Sequence, residues 1–89
     1  MVGDEDAIAA VLNRLRRAQG QLAGVIAMIE QGRECKDVVT QLTAAQAALH
    51  RAGLRLMSAG MRYCIVQPET AAEQGMSTEQ MEELFMKLR

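Results

Sequence analysis

Aromatic side chains are nearly missing from this chain: it has one tyrosine, Tyr63, one phenylalanine, Phe85, and no tryptophan. Proteins that hold single-stranded nucleic acid stack its bases on aromatic rings, so that mode of binding is not expected. Histidine is as scarce, with His50 alone, and a site built on several imidazoles is excluded. Cysteine occurs twice, at Cys35 and Cys64. Two thiols are too few for a disulfide scaffold and suit redox or metal chemistry better; the plain alternative is a pair of ordinary core thiols. No apolar run approaches the roughly 18 residues of a membrane helix, and no signal peptide is recognisable. The expected location is therefore the cytoplasm, where thiols stay reduced, and no membrane partner is expected. There is no acid–base–nucleophile set and no phosphate-binding loop, so an enzyme is not expected.

What is present is alanine, leucine, valine and methionine: 49% of the 89 residues are hydrophobic. That composition suits thin helices packed closely within a single domain over 1–89. A lone chain of this size buries little apolar area, so association into a homodimer or homotetramer is expected to add stability. The net charge of −1 hides an uneven distribution. Between Ala7 and Val66 lie Arg14, Arg16, Arg17, Arg33, Lys36, Arg51, Arg55 and Arg62 against Glu30, Glu34 and Asp37, a balance of +5. The head (Asp4, Glu5, Asp6) and the tail from Gln67 each carry −3. A basic body with acidic ends can bind a polyanion despite the neutral total.

Apolar residues at three- and four-residue steps (Ile8, Val11, Leu12, Leu15, Leu22, Val25, Ile26, Ile29) predict an amphipathic helix over about 5–31. Acids at its start oppose the helix dipole, and Gly32 is a stop signal. A second helix, about 35–65, carries Cys35, Val38, Leu42, Ala45, Leu49, Ala52, Leu56, Ala59 and Tyr63 at alternating steps of three and four, a heptad seam. Pro68 ends it. Ser77 with Gln80 reads as a capping box opening a third helix over 77–88, with Met81, Leu84, Phe85 and Leu88 on one face. The fold class is all-α, a three-helix protomer whose first two helices form a hairpin.

Cys35 opens the second helix and Cys64 closes it, so they stand about 43 Å apart and cannot meet within one chain. If two copies of this helix pair antiparallel along the seam, Cys35 of one meets Cys64 of the other at each end, with the two-fold axis near Leu49 and His50. His50 is then far from both thiols and reads as a surface or interface residue. Cys35, in a first helical turn, has the helix dipole, Arg33 and Lys36 favouring its thiolate and Glu34 and Asp37 opposing it, and reads as the attacking thiol; Cys64, at a helix C-terminus, reads as the resolving one. Arg14, Arg17 and Gln21 share one face of the first helix, and Arg51, Arg55 and Arg62 lie along the second. Such a set can meet duplex phosphates and guanine edges; a solvated polar face is the bland reading.

The stretch LNRLRRAQGQLAGVIAMIEQGRECKDVVTQLTAAQAALHRAGLRLM, then Cys64, then Glu82–Leu84, resembles the copper-sensing operon repressor family of bacterial transcription factors. The resemblance implies an antiparallel four-helix-bundle dimer, paired into a dimer of dimers, that represses transcription on duplex operator DNA. It places Arg14 and Arg51 among the DNA-contacting positions. Copper-sensing members bind the metal through two cysteines, matched here by Cys35 and Cys64, and a histidine four residues before the second; that position is Gly60. Members that sense persulfides keep the two cysteines alone, and this chain is similar to that branch there. The resemblance thus implies a repressor that senses reactive sulfur through an intersubunit Cys35–Cys64 pair, with no cofactor. The alternatives are a Cu(I) sensor using the same two thiols as metal ligands, with a methionine thioether such as Met57 or Met61 as a possible addition, and a helical scaffold that senses nothing.

Overall fold

The structure, a computed structural model, describes residues 5–89; of the acidic head, Asp4 lies outside them. Helix α1 spans Glu5–Glu30 and α2 spans Cys35–Val66. Their packing arises from a second heptad within the apolar pattern. The buried residues of α1 are Val11, Ala18 and Val25, seven apart, and α2 buries Ala45, Ala52 and Ala59 at the same spacing. Small side chains in these rows let the two backbones lie close. The turn between them is a Schellman motif: Gly32 has φ 71, its amide donates to the carbonyl of Ile29, and the Arg33 amide donates to that of Met28 at 3.0 Å. Glycine takes this left-handed conformation without the strain a Cβ would bring.

The expected three-helix protomer is one helix short. After α2 the chain forms a further helix, α3, over Pro68–Glu73 and then α4 over Thr78–Leu88. Pro68 does end α2, but at the first position of a new helix its fixed φ is an asset and its missing N–H costs nothing. Gly75, with φ 76, then closes α3 as Gly32 closes α1, the Met76 amide donating to the carbonyl of Ala71 at 2.8 Å. The expected capping box is present: the Gln80 amide donates to Ser77 Oγ and the Ser77 amide to Gln80 Oε1. Met76 before the cap and Met81 after it hold the same cluster, the arrangement of a hydrophobic staple.

Helix α4 lies back along α2 where α2 has glycines. A Cβ at Gly53 would stand 2.9 Å from Leu88 Cδ1, and one at Gly60 would stand 2.7 Å from Met81 Cε. These two glycines, seven apart, are the seats of α4 on α2.

The seam read from the sequence therefore divides. Its alanine row is consumed inside the protomer, while Leu42, Leu49 and Leu56 stay exposed, Leu49 by 56%. On α1, Leu12, Leu22, Ile26 and Ile29 are exposed as well. Leu12, Leu15 and Leu22 join Leu42 and Leu49 around one apolar groove between the helices, of about 550 Å³. The molecule measures 52 × 25 × 14 Å, too thin to enclose these leucines. Its accessible surface is 6598 Å², whereas a compact monomer of 9.7 kDa has roughly 5,100 Å². The excess is of the order that a specific protein interface removes.

Candidate functional site

Helix α2 presents its two thiols in opposite ways. Cys35 is its first residue, preceded by Glu34 in an extended conformation, and is exposed. Arg33, Lys36 and Asp37 around it are exposed too. Cys64 is buried. Its sulfur lies 3.6 Å from the Thr78 hydroxyl, and it shares a small core with Ala71 and Met81, against which Met57, Tyr63 and Met76 pack. Both thiols belong to one unbroken helix of 32 residues, which keeps them roughly 43 Å apart. Within a protomer they do not meet.

Position 60 is one turn before Cys64. It offers no donor atom, and its space is taken: the methyl groups of Met81 and Met76 would stand 2.7 and 3.3 Å from a Cβ there. Among the described residues no group of three or more His, Cys, Asp or Glu side chains is placed to hold a metal ion. The soft atoms beside Cys64 are methionine thioethers: Met61 and Met81 line the same cavity, and Met57 and Met76 pack against its core. His50 is exposed, midway along α2.

The basic residues separate into those that converge and those that do not. Arg14, Arg17 and Gln21 from α1 and Arg51 from α2 line one concavity of about 130 Å³, floored by Ala48. The α1 residues come together because 14, 17 and 21 match the helical repeat. Arg51 joins them because the hairpin brings its turn of α2 alongside. Arg55, one turn further on, and Arg62 do not line the concavity; both are exposed. Three guanidiniums and an amide around one hollow suit a phosphate or a base edge, since the guanidinium fork donates two parallel hydrogen bonds.

Sequence reasoning missed the cover over Cys64. Its signal was Gly53 and Gly60 at a seven-residue spacing, a second small-residue row one position on from Ala52 and Ala59 of α2. Thr78 carried no signal, because only the return of α4 brings it to the thiol.

No helix among the described residues is long and apolar enough to cross a membrane. No solved structure matches this chain. Several curated proteins do. The copper-sensing transcriptional repressor CsoR of Bacillus subtilis is 29% identical over 77 residues, 86% of this chain and 76% of the relative. The copper-sensing transcriptional repressor RicR of Mycobacterium tuberculosis is 39% identical over 54 residues, 61% of this chain and 56% of its own length. CsoR of the same organism is 35% identical over 76 residues, 85% of this chain and 61% of that protein. The chain thus spans less than two thirds of these mycobacterial relatives. The sequence model of metal-sensitive transcriptional repressors matches residues 7–89, a stretch that takes in the hairpin, both thiols, the basic hollow and the returning α4. The chain belongs to the metal-sensitive transcriptional repressor family.

Proposed function

We propose that this chain represses transcription by binding duplex operator DNA as a homodimer or homotetramer, and that it releases the DNA when Cys35 and the partner's Cys64 react with sulfane sulfur. The observation that carries this reading is Gly60. The imidazole that copper-sensing members place one turn before the second cysteine is missing beside Cys64, and methionine methyl groups fill the place where its side chain would start. Two thiols without that nitrogen donor are better reactants than ligands. The exposed leucines of α1 and α2 supply the association surface, and an antiparallel pairing of α2 with its copy puts each Cys35 near a Cys64.

The chemistry needs only the sulfur donor. Cys35 as thiolate attacks the terminal sulfur of a hydropersulfide, the S–S bond breaks, and a thiolate leaves. Cys35 is now a persulfide. The partner's Cys64 attacks its inner sulfur, hydrosulfide leaves, and a disulfide joins the chains. A donor that leaves more sulfur on Cys35 gives a tri- or tetrasulfide. The bridge fixes the spacing of two α2 rods at both ends. Arg51 rides on α2, and Arg14, Arg17 and Gln21 ride on the hairpin, so the basic hollows of the two chains lose their register on the duplex. A 100-fold loss of DNA affinity requires only about 2.7 kcal/mol of difference between the two states.

A second reading is favoured by the curated relatives, which are named copper-sensing repressors. In it Cys35 and the partner's Cys64 hold Cu(I) as thiolates, soft donors suited to that ion. One experiment separates the two. Reduced protein is treated with polysulfide or with Cu(I), and DNA binding and non-reducing electrophoresis are read in parallel. The sulfur reading expects a cross-linked dimer and DNA release with polysulfide, both lost in Cys35→Ser, while Cys64→Ser takes up sulfur but forms no bridge. DNA release by Cu(I) with indifference to polysulfide overturns it in favour of copper.

A further inference from the structure

The two sulfurs of the pair meet different surroundings. Cys35 is exposed among charged, exposed neighbours. Cys64 lines a cavity of about 270 Å³ whose other walls are Met61, Ile65, Thr78, Met81, Glu82 and Phe85. Thioether, branched aliphatic and aromatic side chains make most of that surface. An apolar cavity of about 150 Å³ already holds a benzene ring, so this one has room for an alkyl or aryl group beside the thiol. The charged wall is Glu82, and on the same helix Glu79, Glu83 and Lys87 share with it the lining of a neighbouring groove, three carboxylates to one ammonium. An anion approaching along α4 meets carboxylates, whereas a neutral apolar group loses nothing to them and gains contact with the walls.

We propose that this cavity is a binding site for the neutral, apolar end group of an organic sulfur donor, such as the alkyl or aryl group of a disulfide or polysulfide, and that the paired thiols therefore admit different reactants. Charged and hydrophilic donors enter at Cys35; neutral apolar ones enter at Cys64. The proposal rests on the reading of Cys64 as a reacting thiol. The Cys64 thiol first loses its proton to solvent. As thiolate it attacks the donor sulfur that carries the seated group, the donor's S–S bond breaks, and the electron pair leaves with the other sulfur as a thiolate. The partner's Cys35 then attacks the Cys64 sulfur, expels the seated group as a second thiolate, and closes the same bridge. The donor is the oxidant throughout and ends as two thiolates, so no other electron acceptor is involved.

Two full-length variants isolate the thiols: Cys35→Ser leaves Cys64, and Cys64→Ser leaves Cys35. Each is treated with benzyl methanethiosulfonate and with 2-sulfonatoethyl methanethiosulfonate, which share a leaving group and differ in charge and apolarity. Labelling rates are monitored by intact mass. The benzyl-to-sulfonatoethyl rate ratio at Cys64 is expected to exceed that at Cys35 by at least about tenfold, the discrimination one or two apolar groups give in a pocket. Adding Glu82→Gln to Cys35→Ser is expected to speed the sulfonatoethyl reagent severalfold more than the benzyl reagent. Phe85→Ala in the same background is expected to slow the benzyl reagent selectively. Equal ratios at the two thiols, or a Cys64 inert to both reagents, overturn the proposal. DNA is absent from this experiment, so a failure of sulfur sensing, read by DNA release, leaves these rates as they are and is told apart from a failure of the pocket.

Discussion

Gly60 sits in the middle of a helix, where alanine is favoured over glycine by about 1 kcal/mol. On propensity alone Gly60→Ala stabilises the protein. The structure reverses that expectation. A Cβ at position 60 would stand 2.7 Å from Met81 Cε and 3.3 Å from Met76 Cε, inside the roughly 3.5–4.0 Å at which carbon atoms attract. Overpacking of this kind costs about 1–3 kcal/mol, with the lower half applying because the obstructing atoms are the ends of flexible side chains. The net effect of Gly60→Ala is therefore a destabilisation of about 0–1 kcal/mol, where propensity alone predicts a gain. Met81→Ala alone costs about 2 kcal/mol, the low end for a buried methionine, since α4 is peripheral. With Met81 truncated only the 3.3 Å approach of Met76 Cε remains, and Gly60→Ala in that background stabilises by up to about 1 kcal/mol. The coupling between the two positions is then about 1–2 kcal/mol, the size of the overpacking cost. Urea unfolding of the four proteins of this cycle, at one fixed protomer concentration because association contributes to stability, measures it. Additivity within about 0.5 kcal/mol would contradict this account, since it would mean that α4 does not rest on Gly60. The same cycle bears on Gly60→His. Its imidazole has room only if Met81 withdraws, so a Cu(I) ligand introduced there is expected to loosen α4 in the metal-free protein.

Features at a distance from that seat give further expectations. Arg14→Ala and Arg51→Ala should each weaken binding to duplex DNA and lower the slope of log affinity against log salt by about 1, with thermal unfolding unchanged; wild-type binding in both would remove the concavity from the DNA surface. Leu49→Glu places a charge on a residue 56% exposed in the protomer, so sedimentation equilibrium should show smaller species if this face associates, and an unchanged mass would show that it does not. Gly32→Ala forces a Cβ onto a φ of 71 and should lower stability by about 1–2 kcal/mol, seen as a reduced urea midpoint with an unchanged m-value.

The long helices were legible because their apolar steps and their stop signals agree. Gly32, Pro68 and the Ser77–Gln80 pair each mark a boundary through local chemistry that tertiary packing does not override. The short α3 was not legible. Six residues, Pro68–Glu73, contain too few apolar steps to show a period, and a proline that ends one helix also suits the start of another. The convergence of Arg14, Arg17 and Gln21 could be read from spacing on one helix, while their meeting with Arg51 depends on how the hairpin registers its two rows of small side chains. Cys64 was legible as a thiol at a helix end. Its burial under Thr78 and Met81 was not, since a contact across 14 residues of chain depends on where α4 returns. The heptad seam shows the limit most clearly. Ala45 and Leu49 belong to one periodic series, and only the structure tells which half turns inward to α1.

The continuity of α2 restricts how this protein can change in length. Cys35, Arg51 and Cys64 are fixed to one helix of 32 residues, and each residue inserted into a helix turns the remainder by about 100° and advances it by 1.5 Å. A single insertion between Cys35 and Arg51 would leave each thiol on a helix yet point the two in unrelated directions, and in a two-fold pair it would do so at both ends at once. A deletion acts in the same way. Substitutions can retune the reactivity of the thiols or the grip on DNA one position at a time. Gains and losses of residues belong to the turns around Gly32 and Gly75 and to the chain ends, where no angular phase has to be kept.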